Sequence, residues 1–215
     1  AGALTHPGRI GLGIVSQFGI MPFLALGIVI LLGLSTPMAL GVVLLGCCPG
    51  GTASNVMTFL ADADLPLSIA ITVCGTLLAP LLTPWLFWLY GQQLLGVYLE
   101  EPIDVPVFML MKTIGVVVVP VLVGLALKTG LGLRDDERLD RMFGTVSIVV
   151  IALIVAYVVG SADPRLLDQA LGGVFLSVFL HNGLGLGFGF LVAVVLSLPR
   201  ATAQALSLEV GMQNS

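Results

Sequence analysis

Ten residues interrupt an apolar segment that runs from Met38 to Leu60. They read Gly46-Cys47-Cys48-Pro49-Gly50-Gly51-Thr52-Ala53-Ser54-Asn55. Because Pro49 lacks a backbone N–H and the two glycines after it are conformationally free, we expect a helix to break here. In a bilayer, a non-helical backbone is tolerated only where it is buried in protein or lines a wet cavity. The side-chain oxygens that follow the break therefore predict a polar binding site near the middle of a membrane.

The composition is that of an integral membrane protein, so the lipid bilayer is an expected partner. Hydrophobic residues make up 58% and charged residues 9% of the 215 residues, whereas soluble domains have about 25% charged residues. The mean hydropathy is +1.13, and no basic patch exists to bind nucleic acid. Apolar stretches of about 20 residues, long enough to cross a bilayer, predict an all-α polytopic fold. The predicted spans are Ile10–Leu34, Met38–Leu60, Leu65–Tyr90, Val105–Leu127, Met142–Gly160, Leu171–Leu196 and a partial one at Ala201–Ser215.

Basic residues are concentrated on one side of this predicted topology. The side on which the chain begins carries Arg9, Lys128, Arg134, Arg138, Arg141 and Arg200. The opposite side carries Arg165, with Lys112 near a helix end. By the positive-inside rule, residues 1–9, 128–141 and 197–200 are predicted to be cytoplasmic, and a loop at 90–104 faces the other side. The expected location is the cell (inner) membrane.

A second polar cluster closes the sequence, Glu209-Val210-Gly211-Met212-Gln213-Asn214-Ser215. Glu209 is the only carboxylate well inside an apolar segment, and a charge there is costly enough to indicate a functional site. The polar pairs Ser16-Gln17 and His181-Asn182 each precede one of the interruptions, five spans apart. An odd separation places the two copies upside down relative to each other. This weak internal similarity predicts an inverted repeat whose paired interruptions form the binding site.

Several of these polar residues also have structural interpretations. Ser68 and Thr72 are able to bond to a carbonyl one turn earlier or to pack between helices. Gln17 is able to serve as an interhelical hydrogen-bonding group, and His181 as a satisfied histidine between helices. The three cysteines are predicted to be reduced packing residues. An enzyme is not expected, because the sequence has no HExxH or GxSxG motif and no second buried carboxylate.

These motifs resemble the bile acid:sodium symporter family, including its bacterial members. The resemblance rests on residues 46–57 and 209–215, is supported by residues 17–22 and by His181-Asn182, and covers essentially the whole chain. It implies ten helices in two inverted repeats, with two discontinuous crossing helices in a core domain that moves against a panel domain. Six and a half helices of that fold are expected here, so we expect a fragment of a longer protein. Core-type helices are expected at about 10–90 and 142–215, and a panel-type helix at about 105–128.

The resemblance implies two sodium (Na+) sites. The first comprises Ser54, Asn55, Ser68, Thr72 and Glu209. The second comprises Gln17, Glu209, Gln213 and backbone carbonyls near Val210 and Met212. Sodium is a hard cation that prefers oxygen ligands, which all of these residues offer. Ser68 and Thr72 are four residues apart and therefore share one face of a helix.

The resemblance also implies sodium-coupled symport of an organic anion, such as a bile acid or a small carboxylate, by alternating access. A half-helix is expected to begin near Thr52, with Thr52 or Ser54 as its cap. Its free amides, with Asn214, are expected to hold the anion. His181 and Asn182 are expected to line or support the cavity. The alternatives are a proton-coupled organic anion carrier in which Glu209 titrates, and a non-transporting membrane homologue.

Overall fold

The computed structural model describes residues 7–99 and 164–213, together with isolated helical positions between 123 and 161. Within these residues we label the helices in chain order. They are α1 (Pro7–Val15, a π-helical turn Ser16–Ile20, and Met21–Leu32), α2 (Thr36–Gly46), α3 (Thr52–Leu60), α4 (Leu65–Phe87, a π-helical stretch Trp88–Leu95, and Gly96–Leu99), α5 (Pro164–Val195) and α6 (Arg200–Gly211).

Three of the described helical stretches are long and apolar enough to cross a membrane. They are Pro7–Leu32, Leu65–Tyr98 and Gly172–Val195. The all-α, multi-pass class predicted from the sequence is therefore confirmed. The predicted spans at 105–127 and 142–160 lie outside the described residues, apart from isolated helical positions. The contacts discussed below all lie within one compact unit, formed by residues 1–114 and 173–215.

Helix α1 changes its hydrogen-bonding pattern at the π-helical turn Ser16–Ile20. Pro22, which has no backbone N–H, follows at once and leaves a carbonyl one turn earlier without its usual donor. Wider π-helical turns occur at such interruptions and often at functional sites. Here the turn carries the buried side chain of Gln17. The helix ends at Gly33, whose φ of 57° allows its N–H to bond to the Val29 carbonyl.

Helices α2 and α3 are two halves of one broken helix, and the break meets the end of α6. Gly50 forms an isolated antiparallel bridge with Gln213. The Gly51 N–H donates to the Met212 carbonyl at 3.0 Å. Each interruption therefore satisfies backbone groups that the other leaves without a helical partner, as a dry environment requires.

Two glycines allow the backbone of other segments to approach α6 closely: Gly50 in the break and Gly189 in α5. A Cβ atom at Gly50 would lie 2.7 Å from Glu209 Oε1, and one at Gly189 would lie 2.8 Å from the Leu206 carbonyl oxygen. Only glycine fits at either distance. Two apolar clusters flank this crossing, one around α2 and one beside the start of α4. The first contains Phe18, Ala25, Val29, Ala39, Val42, Val43, Cys47, Leu86 and Leu95, and the second Leu67, Ile71, Ala193, Ala203 and Leu206.

The starts of α1, α4 and α6 lie together at one end of this unit. Asp64 caps α4, since its Oδ1 accepts from the Leu67 N–H at 3.3 Å. Its Oδ2 accepts from the Thr202 hydroxyl at 3.2 Å, and Arg9 Nη1 lies 3.5 Å from the same hydroxyl oxygen. This arrangement agrees with a topology in which Arg9 and Arg200 share one side of the membrane.

Two helix boundaries differ from the sequence predictions. The third span was expected to end at Tyr90 and to be followed by a loop at 90–104, whereas α4 continues to Leu99. The π-helical stretch Trp88–Leu95 includes Gly91 and the two glutamines after it, so the helix is not interrupted there. Helix α5 begins at Pro164 and not at Leu171, because proline is well tolerated in the first turn of a helix.

Candidate functional site

Glu209 lies at the centre of a buried cluster of oxygen atoms. Its side chain is 0% exposed. Glu209 Oε2 is 2.6 Å from Ser54 Oγ and 2.8 Å from Ser68 Oγ, and Oε1 is 2.6 Å from Thr72 Oγ1. Asn55 Oδ1 joins the cluster at 2.8 Å from Ser68 Oγ and 3.3 Å from Thr72 Oγ1. The structure thus brings together the five side chains that the family resemblance implied for a first sodium site.

Three helices supply this first cluster. Ser54 and Asn55 stand in the first turn of α3, and Glu209 stands in the last turn of α6. Ser68 and Thr72 lie one turn apart on α4, so that both hydroxyls point the same way. Because Gly50 has no side chain, the break can approach the Glu209 carboxylate directly.

The expected cap of α3 was wrong. Gly51 is the N-cap residue, with φ −96° and ψ 156°, and no side chain caps the helix. The Ser54 hydroxyl instead donates back to the Gly51 carbonyl, at 2.6 Å. Thr52 is the first helical residue and is exposed. Gly51 is held in the extended cap conformation while its N–H donates to the Met212 carbonyl at 3.0 Å, so the helix begins at the next residue.

The first cluster contains more short oxygen–oxygen contacts than hydroxyl hydrogens that could bridge them. The hydroxyls of Ser54, Ser68 and Thr72 each face two acceptors within 3.3 Å, yet each has one hydrogen. Glu209 has no basic partner among the residues that the structure describes; its side-chain contacts are to hydroxyls. Short oxygen–oxygen contacts without a bridging hydrogen are repulsive, and a cation among these oxygens would remove that repulsion.

A second cluster of oxygen atoms lies at the two breaks. The Gln17 and Gln213 amides are 2.8 Å apart. Their surroundings favour the orientation in which Gln213 Nε2 donates to the Cys48 carbonyl at 2.6 Å and Gln17 Nε2 donates to the Glu209 carbonyl at 3.0 Å. Gln17 Oε1 then accepts from the Gly50 N–H at 3.2 Å. The cluster therefore contains two amides in contact with each other and three backbone carbonyls, those of Cys48, Pro49 and Glu209, each within hydrogen-bonding distance of one amide.

The two backbone positions predicted for the second site differ in what the structure shows. The Met212 carbonyl accepts from the Gly51 N–H, so it points at the break in the other helix. Val210 is fully buried in the last turn of α6. The carbonyls of Cys48 and Pro49, which face the Gln213 amide at 2.6 Å and 3.2 Å, were missed from the sequence. Backbone groups carry no sequence signal beyond the break itself.

The described contacts do not gather the predicted substrate residues in one place. Asn214 lies outside the described residues. His181 is 0% exposed, and its Nε2 is 3.1 Å from the Met21 carbonyl oxygen, so it connects α5 with α1. Asn182 is half-buried, and Thr52 is exposed at the start of α3.

Thr58 was also missed from the sequence. It is 0% exposed, and its Oγ1 lies 3.3 Å from Ser68 Oγ. The available signal was its spacing, since Thr58 follows Ser54 by four residues and therefore lies on the same face of α3.

The chemistry of both clusters suits a hard cation. Their donors are hydroxyl, amide, backbone carbonyl and carboxylate oxygens, which are the ligands that such ions prefer. Within the part of the chain that the structure describes, no group of three or more His, Cys, Asp and Glu side chains is placed to hold a metal. A transition-metal centre therefore has no support in those residues.

Comparison with known proteins identifies the relatives of this chain. The model of the sodium bile acid symporter family matches residues 1–168. An uncharacterized sodium-dependent transporter of Bacillus subtilis, YocS, is 39% identical over 99% of this chain and 63% of its own length. The human ileal sodium/bile acid cotransporter is 30% identical, over 100% of this chain and 60% of its own length.

A plant relative is also named as a sodium/metabolite cotransporter. The probable sodium/metabolite cotransporter BASS1 of Arabidopsis thaliana, a chloroplastic protein, is 32% identical over 100% of this chain and 51% of its own length. The chain thus spans between 51% and 63% of the length of these three curated relatives. These relatives are named as transporters and cotransporters, not enzymes. Because the family model matches well over half of the chain, the chain belongs to the sodium bile acid symporter family.

Proposed function

We propose that the protein to which this chain belongs is a sodium-coupled symporter of an organic anion. The observation that carries the proposal is the Glu209 carboxylate, buried where the break between α2 and α3 meets the end of α6. The three hydroxyls around it make six short oxygen–oxygen contacts with only three hydrogens. The names of the relatives support sodium as the coupling ion. In this proposal the chain lies in the inner membrane, with residues 1–9, 128–141 and 197–200 in the cytoplasm.

The first sodium ion binds within the cluster around Glu209. Ser54, Asn55, Ser68 and Thr72 turn oxygen lone pairs towards the ion, and Glu209 offsets its charge. The short oxygen–oxygen contacts of the cluster then become shared ligand contacts. The Ser54 hydrogen is directed away from the ion, to the Gly51 carbonyl at 2.6 Å.

The second sodium ion binds between the breaks. The amides of Gln17 and Gln213 now donate N–H groups to backbone carbonyls. Turning each amide by half a rotation replaces a donor with an acceptor oxygen. The Glu209 carbonyl, released by the Gln17 amide, then joins the carbonyls near Val210 and Met212 and the Glu209 carboxylate as oxygen ligands.

The anion binds where the ions have ordered the breaks. The first turn of α3 offers backbone N–H groups and the positive end of the helix dipole, which attract a carboxylate or a sulfonate. Thr52 and Asn214 are the proposed contacts, and His181 and Asn182 line or support the cavity. Sodium favours the conformation that binds the anion, and coupling follows from that preference.

The protein is proposed to consist of two parts that move against each other during transport. Helices in 10–90 and 142–215 form the core-type part, and a helix at 105–128 belongs to the panel-type part. Rocking of one part against the other exposes the site alternately to the two sides of the membrane.

Uptake into liposomes that contain the purified complete protein tests this function. Radiolabelled taurocholate and a small carboxylate are offered under an inward sodium gradient, with potassium replacing sodium in the control. We expect uptake of at least one anion that requires sodium on the outside. Equal uptake in sodium and in potassium would contradict the proposal.

The double substitution of Ser68→Ala with Thr72→Val is expected to weaken the first site selectively. It removes two hydroxyl oxygens of the cluster while it preserves helix α4. Each lost contact to a charged partner is worth about 1.5–3 kcal/mol, so sodium affinity is expected to fall by at least about a hundredfold. The measurement is the rise of the unfolding midpoint when sodium replaces potassium at constant total salt. Full retention of the sodium response would return both hydroxyls to a packing role.

Gln17→Leu is expected to remove the second site and to leave the first. Leucine has a similar size and no oxygen, so the amide ligand from α1 is lost. In the same sodium series we expect the response to depend less steeply on sodium concentration, as one bound ion instead of two requires. An unchanged steepness would assign Gln17 to helix packing.

Proton coupling is the second candidate function, because Glu209 is buried among hydroxyls without a basic partner in the described residues. A neutral carboxylic acid also suits that environment. In the liposome assay, proton coupling predicts uptake that follows an imposed pH gradient and ignores sodium. Sodium coupling predicts the reverse.

A further inference from the structure

Thr58 stands directly behind the first cluster, although neither the motifs nor the relatives' names assign it a role. It lies on α3, one turn after Ser54, and its side chain is completely buried. Its Oγ1 is 3.3 Å from Ser68 Oγ, and this contact joins α3 to α4. A buried threonine hydroxyl needs a hydrogen-bond partner, and here that partner is a proposed sodium ligand.

A hydroxyl that binds a cation must point its hydrogen away from the ion. Ser68 Oγ has three oxygen neighbours that are able to take that hydrogen: Asn55 Oδ1, Glu209 Oε2 and Thr58 Oγ1. Asn55 and Glu209 are themselves proposed ligands, so each directs a lone pair to the ion, and a hydrogen bond from Ser68 would compete with that contact. Thr58 is the remaining acceptor outside the ligand set.

We propose that Thr58 is a positioning residue for the sodium site, which accepts the Ser68 hydrogen when the ion is bound. This inference rests on the proposed function. The Thr58–Ser68 contact then reverses: Ser68 becomes the donor, and Thr58 directs its own hydrogen to the carbonyl one turn earlier in α3, as threonines in helices readily do. Thr58 thereby allows Ser68 to bind sodium without leaving a buried hydrogen unpaired.

Ser54 provides an internal comparison. Its hydrogen has an acceptor outside the ligand set, the Gly51 carbonyl at 2.6 Å. Ser54 therefore needs no further acceptor for its hydrogen, whereas in this proposal Ser68 relies on Thr58 Oγ1 as the acceptor. In this proposal Ser54 and Ser68 bind the ion, and Thr58 accepts the hydrogen of Ser68.

The test compares Thr58→Val with Thr58→Ser in the purified complete protein. Valine keeps the shape and removes the oxygen, and serine keeps the oxygen. We expect the sodium concentration for half-maximal stabilisation to rise roughly fivefold in Thr58→Val, as for one lost hydrogen bond, and to remain at the wild-type value in Thr58→Ser. Ser177→Ala is the control: its buried hydroxyl bonds to the Gly173 carbonyl within α5, and its loss leaves the sodium response unchanged.

A double variant shows whether Thr58 acts through Ser68. In a Ser68→Ala background, Thr58→Val is expected to cause no further loss of sodium affinity. An additive loss, or a wild-type sodium response in Thr58→Val, would overturn the inference while the proposed function stands. A wild-type protein that does not respond to sodium would instead overturn the proposed function. If Thr58→Val does not fold, Thr58→Ser and Thr58→Ala give the same comparison, since they differ by one hydroxyl.

Discussion

Glu209→Gln is expected to abolish sodium binding while the protein stays folded. Glutamine has the shape of glutamate but no charge, so neither sodium ion has its compensating carboxylate. Removing one partner of a buried ion pair costs about 3–5 kcal/mol, which corresponds to at least about a hundredfold loss of affinity. The measurement is sodium-dependent stabilisation, together with sodium-driven uptake, both of which are expected to disappear.

The same substitution makes a prediction about stability without sodium. In potassium buffer the wild-type carboxylate is buried among hydroxyls without a basic partner in the described residues, which disfavours the folded state. The glutamine amide is uncharged, and its nitrogen is able to donate to the nearby hydroxyl oxygens. We therefore expect Glu209→Gln to unfold at the same or a higher temperature than wild type in potassium, and at a lower temperature in sodium. A variant that still gains stability from sodium as wild type does would remove Glu209 from both sites.

Gly50→Ala is expected to separate the two breaks and to eliminate the sodium response. The added Cβ would lie 2.7 Å from Glu209 Oε1 and 3.1 Å from the Glu209 carbonyl oxygen. Such contacts force the backbone or the carboxylate to move, and overpacking of this kind costs about 1–3 kcal/mol. Because the displaced atoms are the proposed ligands themselves, we expect that cost to appear as a loss of sodium affinity of at least about fivefold.

Gly41→Ala is the matched control for Gly50→Ala. Gly41 lies on α2, the half-helix before the break, and a Cβ there would meet nothing within 4 Å. Its sodium response is expected to equal that of wild type. If Gly50→Ala and Gly41→Ala respond alike, the close approach of the break to Glu209 does not matter for sodium binding.

The break at Pro49 to Gly51 was predictable from local chemistry. A proline followed directly by two glycines disfavours a helix, and the structure shows the helix interrupted there. Glu209 was also identifiable, because a lone carboxylate in an apolar segment is costly and therefore indicates a functional site. Both conclusions need only the residue types and their immediate neighbours.

The way in which the two breaks meet was not predictable from the residues alone. The bridge between Gly50 and Gln213 joins positions far apart in the sequence. The similarity between the two halves of the sequence indicated that the two interruptions pair, but no local pattern specifies which of their backbone groups meet. The predicted end of α4 at Tyr90 was also wrong. The π-helical stretch that carries the helix further has no recognisable sequence signal.

Thr58 shows why supporting residues escape a sequence analysis. Hydroxyls in membrane helices usually bond within their own helix, so Thr58 resembles any other buried threonine until Ser68 is placed against it. The motif identifies the oxygens that are proposed to face the ion. The groups that hold those oxygens become visible when the helices are packed.

Equilibrium binding of radioactive sodium to the purified complete protein tests the central claim, that Glu209 and the two breaks form a sodium site. The binding is measured against excess unlabelled potassium and repeated with Glu209→Gln. We predict saturable sodium binding that potassium does not displace and that the substitution eliminates. Sodium binding that never saturates, or that Glu209→Gln leaves intact, would contradict the account.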